Sequence, residues 1–157
     1  MKKIAVFADV QNIYYTTKQA YGRQFNYRRL WQMLEREGEV ATALAYAIDR
    51  GDSKQQGFQS ALRDIGFEIK LKPFIQRVDG TAKGDWDVGI TIDVIESAAH
   101  VDTIVLLSGD GDFQLLVDHV KQKNAVETVV YGVPGLTAKA LSDAADHYRP
   151  IAESLLL

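Results

Sequence analysis

Apolar residues fall along this chain in two alternating rhythms. Short apolar runs at Ile4–Ala8, Val40–Ile48, Phe67–Ile75, Thr103–Leu107 and Val126–Tyr131 read as strands. Helical spacing fills the gaps and predicts helices over Asn12–Ala20, Tyr27–Gly38, Ser53–Ile65, Asp87–Ala99, Phe113–Lys123 and Thr137–Ala145. Gly38, Gly51 and Gly66 mark breaks, and Gly66 stands where a helix C-cap glycine belongs. The run Ile104-Val-Leu-Leu107 has no polar interruption, as expected of a parallel strand covered on both faces. Strands separated by helices predict an α/β fold: a doubly wound, mostly parallel five-stranded sheet with helices on both faces. An order of 3-2-1-4-5 would set the first and fourth strands side by side at a switch point.

Acids stand at the ends of these elements. The first strand stops at Asp9, followed by Val10-Gln11-Asn12. The fourth runs into Ser108-Gly-Asp-Gly-Asp-Phe113, which delivers Asp110 and Asp112 two residues apart. Open α/β sheets place their ligands at the carboxyl ends of strands. Carboxylates crowded there repel one another unless a cation lies between them, and oxygen-only ligands suit Mg²⁺ or Mn²⁺. A third acidic element, Lys83-Gly-Asp-Trp-Asp87, opens an apolar helix. Asp85 or Asp87 would lie near that helix's N-terminus, where negative charge is favoured. Asp93, six residues beyond Asp87, is rotated roughly 120° from it. Asp87 therefore ranks as the metal-site residue and Asp93 as an outer, supporting one. Each acid also has a purely structural reading: Asp9 as a helix cap, Asp110 and Asp112 as turn and cap residues, Asp87 as a helix-start charge. Their joint placement favours one shared site.

Composition narrows the chemistry. The chain has 157 residues, 46% of them hydrophobic and 25% charged, which fits one globular domain over residues 1–157. It has no cysteine, so a disulfide framework, a zinc-thiolate site and a cysteine nucleophile are excluded. No apolar run approaches 18 residues, and the segment ahead of Asp9 is too short for a signal-peptide core. A soluble, cytoplasmic protein with no membrane partner is expected. The net charge is −3, but its distribution is uneven. Residues 1–87 hold 14 Lys+Arg against 11 Asp+Glu, and residues 88–157 hold 4 against 10. Basic residues interleave with aromatics in Tyr21–Arg29 and Lys70–Arg77, a pattern able to hold a phosphate backbone and stack on bases. Each cluster equally suits a solvated face over ordinary core aromatics.

Phe7-Ala-Asp-Val-Gln-Asn-Ile13, Lys83-Gly-Asp-Trp-Asp-Val-Gly-Ile-Thr-Ile-Asp93 and Ser108-Gly-Asp-Gly-Asp-Phe113 together resemble the NYN domain, in its LabA-like branch of the PIN-like nuclease fold. The tail Ala140–Tyr148 is similar to that family's closing helix. The resemblance spans nearly the whole chain. It implies a metal-dependent ribonuclease-like hydrolase acting on single-stranded RNA. Asp9, Asp87, Asp110 and Asp112 would be catalytic and would bind Mg²⁺ or Mn²⁺, with Asn12 beside the first acid. PIN-type sites often carry a further glutamate, for which Asp49 and Asp93 are the stand-ins here.

The expected mechanism is phosphodiester hydrolysis by water, with carboxylate-held divalent ions assisting. Ser108 is expected to orient Asp110 or a phosphate. Lys83 is a candidate phosphate contact, although a solvated loop lysine is its simpler role. His100, His119 and His147 lie outside the motifs. The rival reading is a non-catalytic RNA-binding or protein-binding regulator with a vestigial site, and either reading leaves room for a homo-oligomer or a protein partner. A phosphatase of the haloacid dehalogenase type needs Asp-x-Asp on its first strand, whereas this chain has Asp9-Val-Gln11. A dinucleotide-binding reading fails for want of a Gly-x-Gly-x-x-Gly turn after the first strand.

Overall fold

A computed structural model of the chain describes residues 1–49, 51–73, 75–76, 82–83 and 85–157, with backbone alone at 73, 75–76 and 82–83. Its main sheet has six strands: β1 (Lys3–Asp9), β2 (Glu39–Asp49), β3 (Glu68–Pro73), β6 (Thr103–Leu107), β7 (Glu127–Gly132) and β8 (His147–Pro150). Residues of β4 (Ile75–Gln76) and β5 (Ala82–Lys83) form a separate antiparallel pair. The main order is β3-β2-β1-β6-β7-β8, and every pairing in it is parallel. This is the 3-2-1-4-5 order with one strand added.

The central strands alternate between two cores. Ile4, Val6 and Ala8 of β1 and Val105 and Leu107 of β6 point to one face; Ala5 and Phe7 with Ile104 and Leu106 point to the other. The period of two sends successive side chains to opposite faces, so a strand covered on both sides must be apolar throughout. Helices α1 (Val10–Tyr21), α2 (Tyr27–Glu35) and α3 (Ser53–Ile65) cover the first face through Ile13, Leu30, Leu34 and Leu62. Helices α4 (Asp87–Ala98), α5 (Gln114–Asn124) and α6 (Lys139–Ala144) cover the second through Ile90, Val94, Leu116, Val120 and Leu141. Gly66 ends α3 at φ 135°, beyond the reach of most side chains, and its amide bonds the Leu62 carbonyl.

Two expectations are corrected. The segment resembling a closing helix contains only the short α6; the chain turns extended at Ala145, and His147–Pro150 pair with Val129–Gly132 as a sixth strand. Tyr148 sends its hydroxyl to the Gly132 carbonyl (3.1 Å), and Pro150 sits on the sheet edge, where a missing N–H is tolerated. Of the predicted third strand, Glu68–Pro73 pair with β2 and Ile75 belongs to the separate antiparallel pair, with Phe74 outside the described residues.

The position of β1 beside β6 matters for the site. Ala8 pairs with Leu107, so Asp9 and Ser108 leave the sheet side by side. From there α1 packs on one face and the chain after β6 packs on the other, which opens the switch-point crevice.

A candidate metal centre at the switch point

The site is built from a chain of short local bonds. Asp9 caps α1, its Oδ1 facing the Asn12 amide at 3.5 Å. Its Oδ2 accepts the Ser108 hydroxyl at 3.1 Å. Both residues are buried, with Ser108 fully enclosed. The Ser108 oxygen accepts the Asp110 amide at 3.1 Å, and Asp110 Oδ1 accepts the Asp112 amide at 2.9 Å. Asn12 Oδ1 accepts the Gly109 amide at 2.9 Å, tying the start of α1 to the loop after β6. A Cβ at Gly109 would collide with the Leu136 carbonyl oxygen, so only glycine lets that loop pass under Leu136.

From the other side comes the N-terminus of α4. Trp86 is its cap residue; the indole N–H donates to the Ala47 carbonyl at 2.9 Å, and the ring packs 5.4 Å from Tyr46. This wedge presents Asp87. The Asp87 amide donates to Asp85 Oδ1 at 3.3 Å.

Asp87, Asp110 and Asp112 each offer a carboxylate oxygen, and the three oxygens lie within 4.8 Å of one another. Oxygens sharing one octahedral ion at about 2.0–2.1 Å stand roughly 2.9–4.2 Å apart, so small side-chain shifts close the gap. Asp9 lies outside this triplet yet is close enough to Asp110 for their charges to interact. Among the described residues, no ion pair neutralises Asp9, Asp85, Asp87, Asp110 or Asp112. Burial pushes the Asp9 carboxyl up to about 6; the Ser108 and Asn12 hydrogen bonds pull against it, and Asp110 and Asp85 add repulsion. Burial also pushes Asp87 up to about 7, reinforced by the charges of Asp110, Asp85 and Asp9. Carboxyls that resist ionisation together, without a cation, form a donor set suited to a hard divalent ion.

The remaining sequence-predicted residues lie as follows. Ser108 and Asn12 brace the site as described. Asp93 is not in the oxygen triplet: its Oδ2 receives the Tyr46 hydroxyl at 2.7 Å and the Lys70 ammonium at 2.7 Å. Asp49, the other stand-in, accepts the Gly51 amide at 2.9 Å. The Lys83 side chain is outside the described residues. Asp85 is the acid that sequence reasoning passed over. Its signal was present in the Asp85-Trp-Asp87 spacing, but the shared helix start gave no basis for keeping both.

The NYN domain family matches residues 3–152, nearly the full chain. The protein belongs to the NYN domain family. It is 30% identical over 154 residues to the low amplitude and bright protein LabA of Synechococcus elongatus, covering 93% of this chain and 82% of LabA. The crystal structure of a protein of unknown function from Vibrio parahaemolyticus superposes with a TM-score of 0.95 at 52% identity, covering 99% of this chain and 96% of that one. Ribokinase from Giardia lamblia shares the fold alone, with a TM-score of 0.52 at 12% identity over 95% of this chain and 57% of the kinase. The NYN assignment and the doubly wound α/β fold thus bear out the sequence reading. Among the described residues, no helix is long and apolar enough to cross a membrane.

Proposed function

We propose that this NYN domain hydrolyses phosphodiester bonds in single-stranded RNA with the help of Mg²⁺ or Mn²⁺. The observation that carries the reading is the triplet Asp87, Asp110 and Asp112, whose oxygens lie within 4.8 Å of one another with no ion-pairing partner among the described residues. In this reading these three would hold the ion, and Asp9 would support it through its own charge. A bound divalent ion supplies charge stabilisation for the phosphorane-like transition state and makes water a better nucleophile. The chain's own residues do the rest. Ser108 fixes Asp9 with its hydroxyl and the Asp110 amide with its oxygen, so the two strand ends keep one spacing. Asn12 holds the intervening Gly109. Trp86, next to Asp87, is pinned to the Ala47 carbonyl at the start of α4.

A cytoplasmic location and the choice of RNA over DNA belong to the same proposal. The test is direct. A labelled single-stranded RNA is incubated with the protein in Mn²⁺, in Mg²⁺ and in excess chelator. Cleavage confined to the metal-containing reactions supports the reading. Metal-insensitive cleavage would refute it, and binding without cleavage would favour the non-catalytic regulator.

A further inference from the structure

An acidic centre repels the substrate it is meant to hold, so a phosphate needs a cation close by that is not already neutralised. Two lysines on β3 face the α4 side of the sheet. Lys70 is committed to Asp93 at 2.7 Å. Lys72, two residues on and level with Ile48 of β2, makes no ion pair among the described residues. Its ammonium sits 4.5 Å from the centroid of the Trp86 ring and donates to the Asp85 carbonyl oxygen at 3.1 Å. An ammonium has three donors, and these contacts use one hydrogen and a ring face.

The seat is well fixed. The Trp86 indole is pinned by the Ala47 carbonyl and lies against Tyr46. Gly89 makes room for it, because a Cβ there would stand 2.6 Å from the ring. Lys72 is next to the end of β3, on the carboxyl edge where Asp9 and Ser108 also leave the sheet. It is held through the backbone of Asp85, two residues before Asp87. The charge of a lysine held by a carbonyl and a ring is left uncompensated, whereas that of one paired with a carboxylate is offset by its partner.

The geometry points to Lys72 as the phosphate-holding cation of this site, carrying the backbone of a single strand past the acid cluster on the Trp86 side. This rests on the nuclease reading above. Lys72 is a binding residue for the substrate's anionic backbone, while the acids hold the ion.

The experiment separates substrate binding from metal binding. Affinity for a labelled single-stranded RNA with a phosphorothioate backbone, which keeps its charge and resists hydrolysis, is measured against salt concentration. Wild type, Lys72→Gln and Lys72→Arg are compared, and Mn²⁺ affinity is measured by calorimetry on the same samples. Lys72→Gln is expected to lower the slope of log affinity against log salt by about 0.7, the contribution of one phosphate contact on a single strand. It should weaken binding about tenfold at low salt. Lys72→Arg should restore most of both. Mn²⁺ affinity should stay level or rise in Lys72→Gln, since a positive charge near the acids has been removed. An unchanged salt slope would overturn the assignment of Lys72 even if the protein binds Mn²⁺ and cuts RNA. A parallel fall in Mn²⁺ affinity would overturn it too, by showing that Lys72 merely props Trp86 and Asp85. Wild type that binds the strand with a Lys72-dependent slope but takes up no Mn²⁺ would instead overturn the metal-dependent reading and leave Lys72 supported. Wild type that binds no strand at all would overturn Lys72.

Discussion

The Ser108 hydroxyl donates to Asp9 Oδ2 at 3.1 Å across the boundary between two parallel strands. Ninety-nine residues separate them in sequence, yet both leave the sheet at adjacent positions. Because the same Ser108 oxygen accepts the Asp110 amide, this one side chain couples the acid of the first strand to the loop of the fourth. Ser108→Ala leaves the buried Asp9 carboxylate without that donor. We expect a loss of about 1–3 kcal/mol in unfolding free energy, the usual cost of an unsatisfied buried acceptor. The Asp9 carboxyl should also titrate higher, since the lost bond was pulling it down. Chemical denaturation and carboxyl NMR titration check both; unchanged Asp9 titration would show that the bond has no electrostatic effect.

Asp110→Asn should act in the opposite sense on stability. Asp110 raises the carboxyl pKa of both Asp9 and Asp87, which is the signature of like-charge repulsion. Removing its charge is expected to leave the metal-free protein as stable or more so, while Mn²⁺ affinity falls by tenfold or more on the order of a lost carboxylate ligand. Calorimetric titration decides it, and an undiminished Mn²⁺ affinity would remove Asp110 from the site.

Much of this arrangement could be read from the chain alone, and the parts that could not share a physical cause. The order of β1 and β6 followed from needing Asp9 beside Asp110, and the unbroken apolar run Ile104–Leu107 announced a doubly covered strand. The sixth strand was hidden, because His147-Tyr-Arg-Pro150 has no apolar alternation. Its strand conformation comes from pairing with β7 and from the Tyr148 bond to Gly132, which are tertiary contacts that override local preference. Asp93 was assigned to the site's surroundings by helix geometry. That geometry does place it well round from Asp87, but the partners that claim it, Lys70 and Tyr46, lie 23 and 47 residues away. Asp110 and Asp112 were legible for the converse reason: their neighbours are fixed by the few residues of one turn.

The metal-free protein should become less stable as pH rises from about 4 to about 7. The Asp9 and Asp87 carboxyls are raised from 3.8 to about 6 and about 7 in the fold. Across that window the native state still holds protons that the unfolded chain has released, so stability falls with pH. Divalent ions displace the same protons, and Mn²⁺ affinity should therefore climb over the same range. Denaturation curves of wild type and Asp87→Asn, collected with chelator at several pH values, test the origin. The variant should show a flatter dependence; identical slopes would mean that Asp87 is not the group responsible.

Cleavage should be lost in both Asp9→Asn and Asp110→Asn, but for reasons that can be told apart. Asp110 belongs to the oxygen triplet, so its amide variant should bind Mn²⁺ weakly and fail to cut for lack of the ion. Asp9 lies outside that triplet and is buried under Ser108. An asparagine there can still accept the Ser108 hydroxyl, so folding should survive, and Mn²⁺ should still bind at high concentration. What disappears is one negative charge close to the triplet, which would help to stabilise a cation held there. Cleavage by Asp9→Asn should thus recover in part as Mn²⁺ is raised, whereas that by Asp110→Asn should recover less. The measurement is the rate of cutting of one labelled single-stranded RNA over a Mn²⁺ series, with both variants purified alongside wild type. Undiminished activity in both variants would assign the cleavage to a contaminant or to another site. Equal and complete loss at every Mn²⁺ concentration would place Asp9 among the direct ligands, with its carboxylate turned from Ser108 toward the ion.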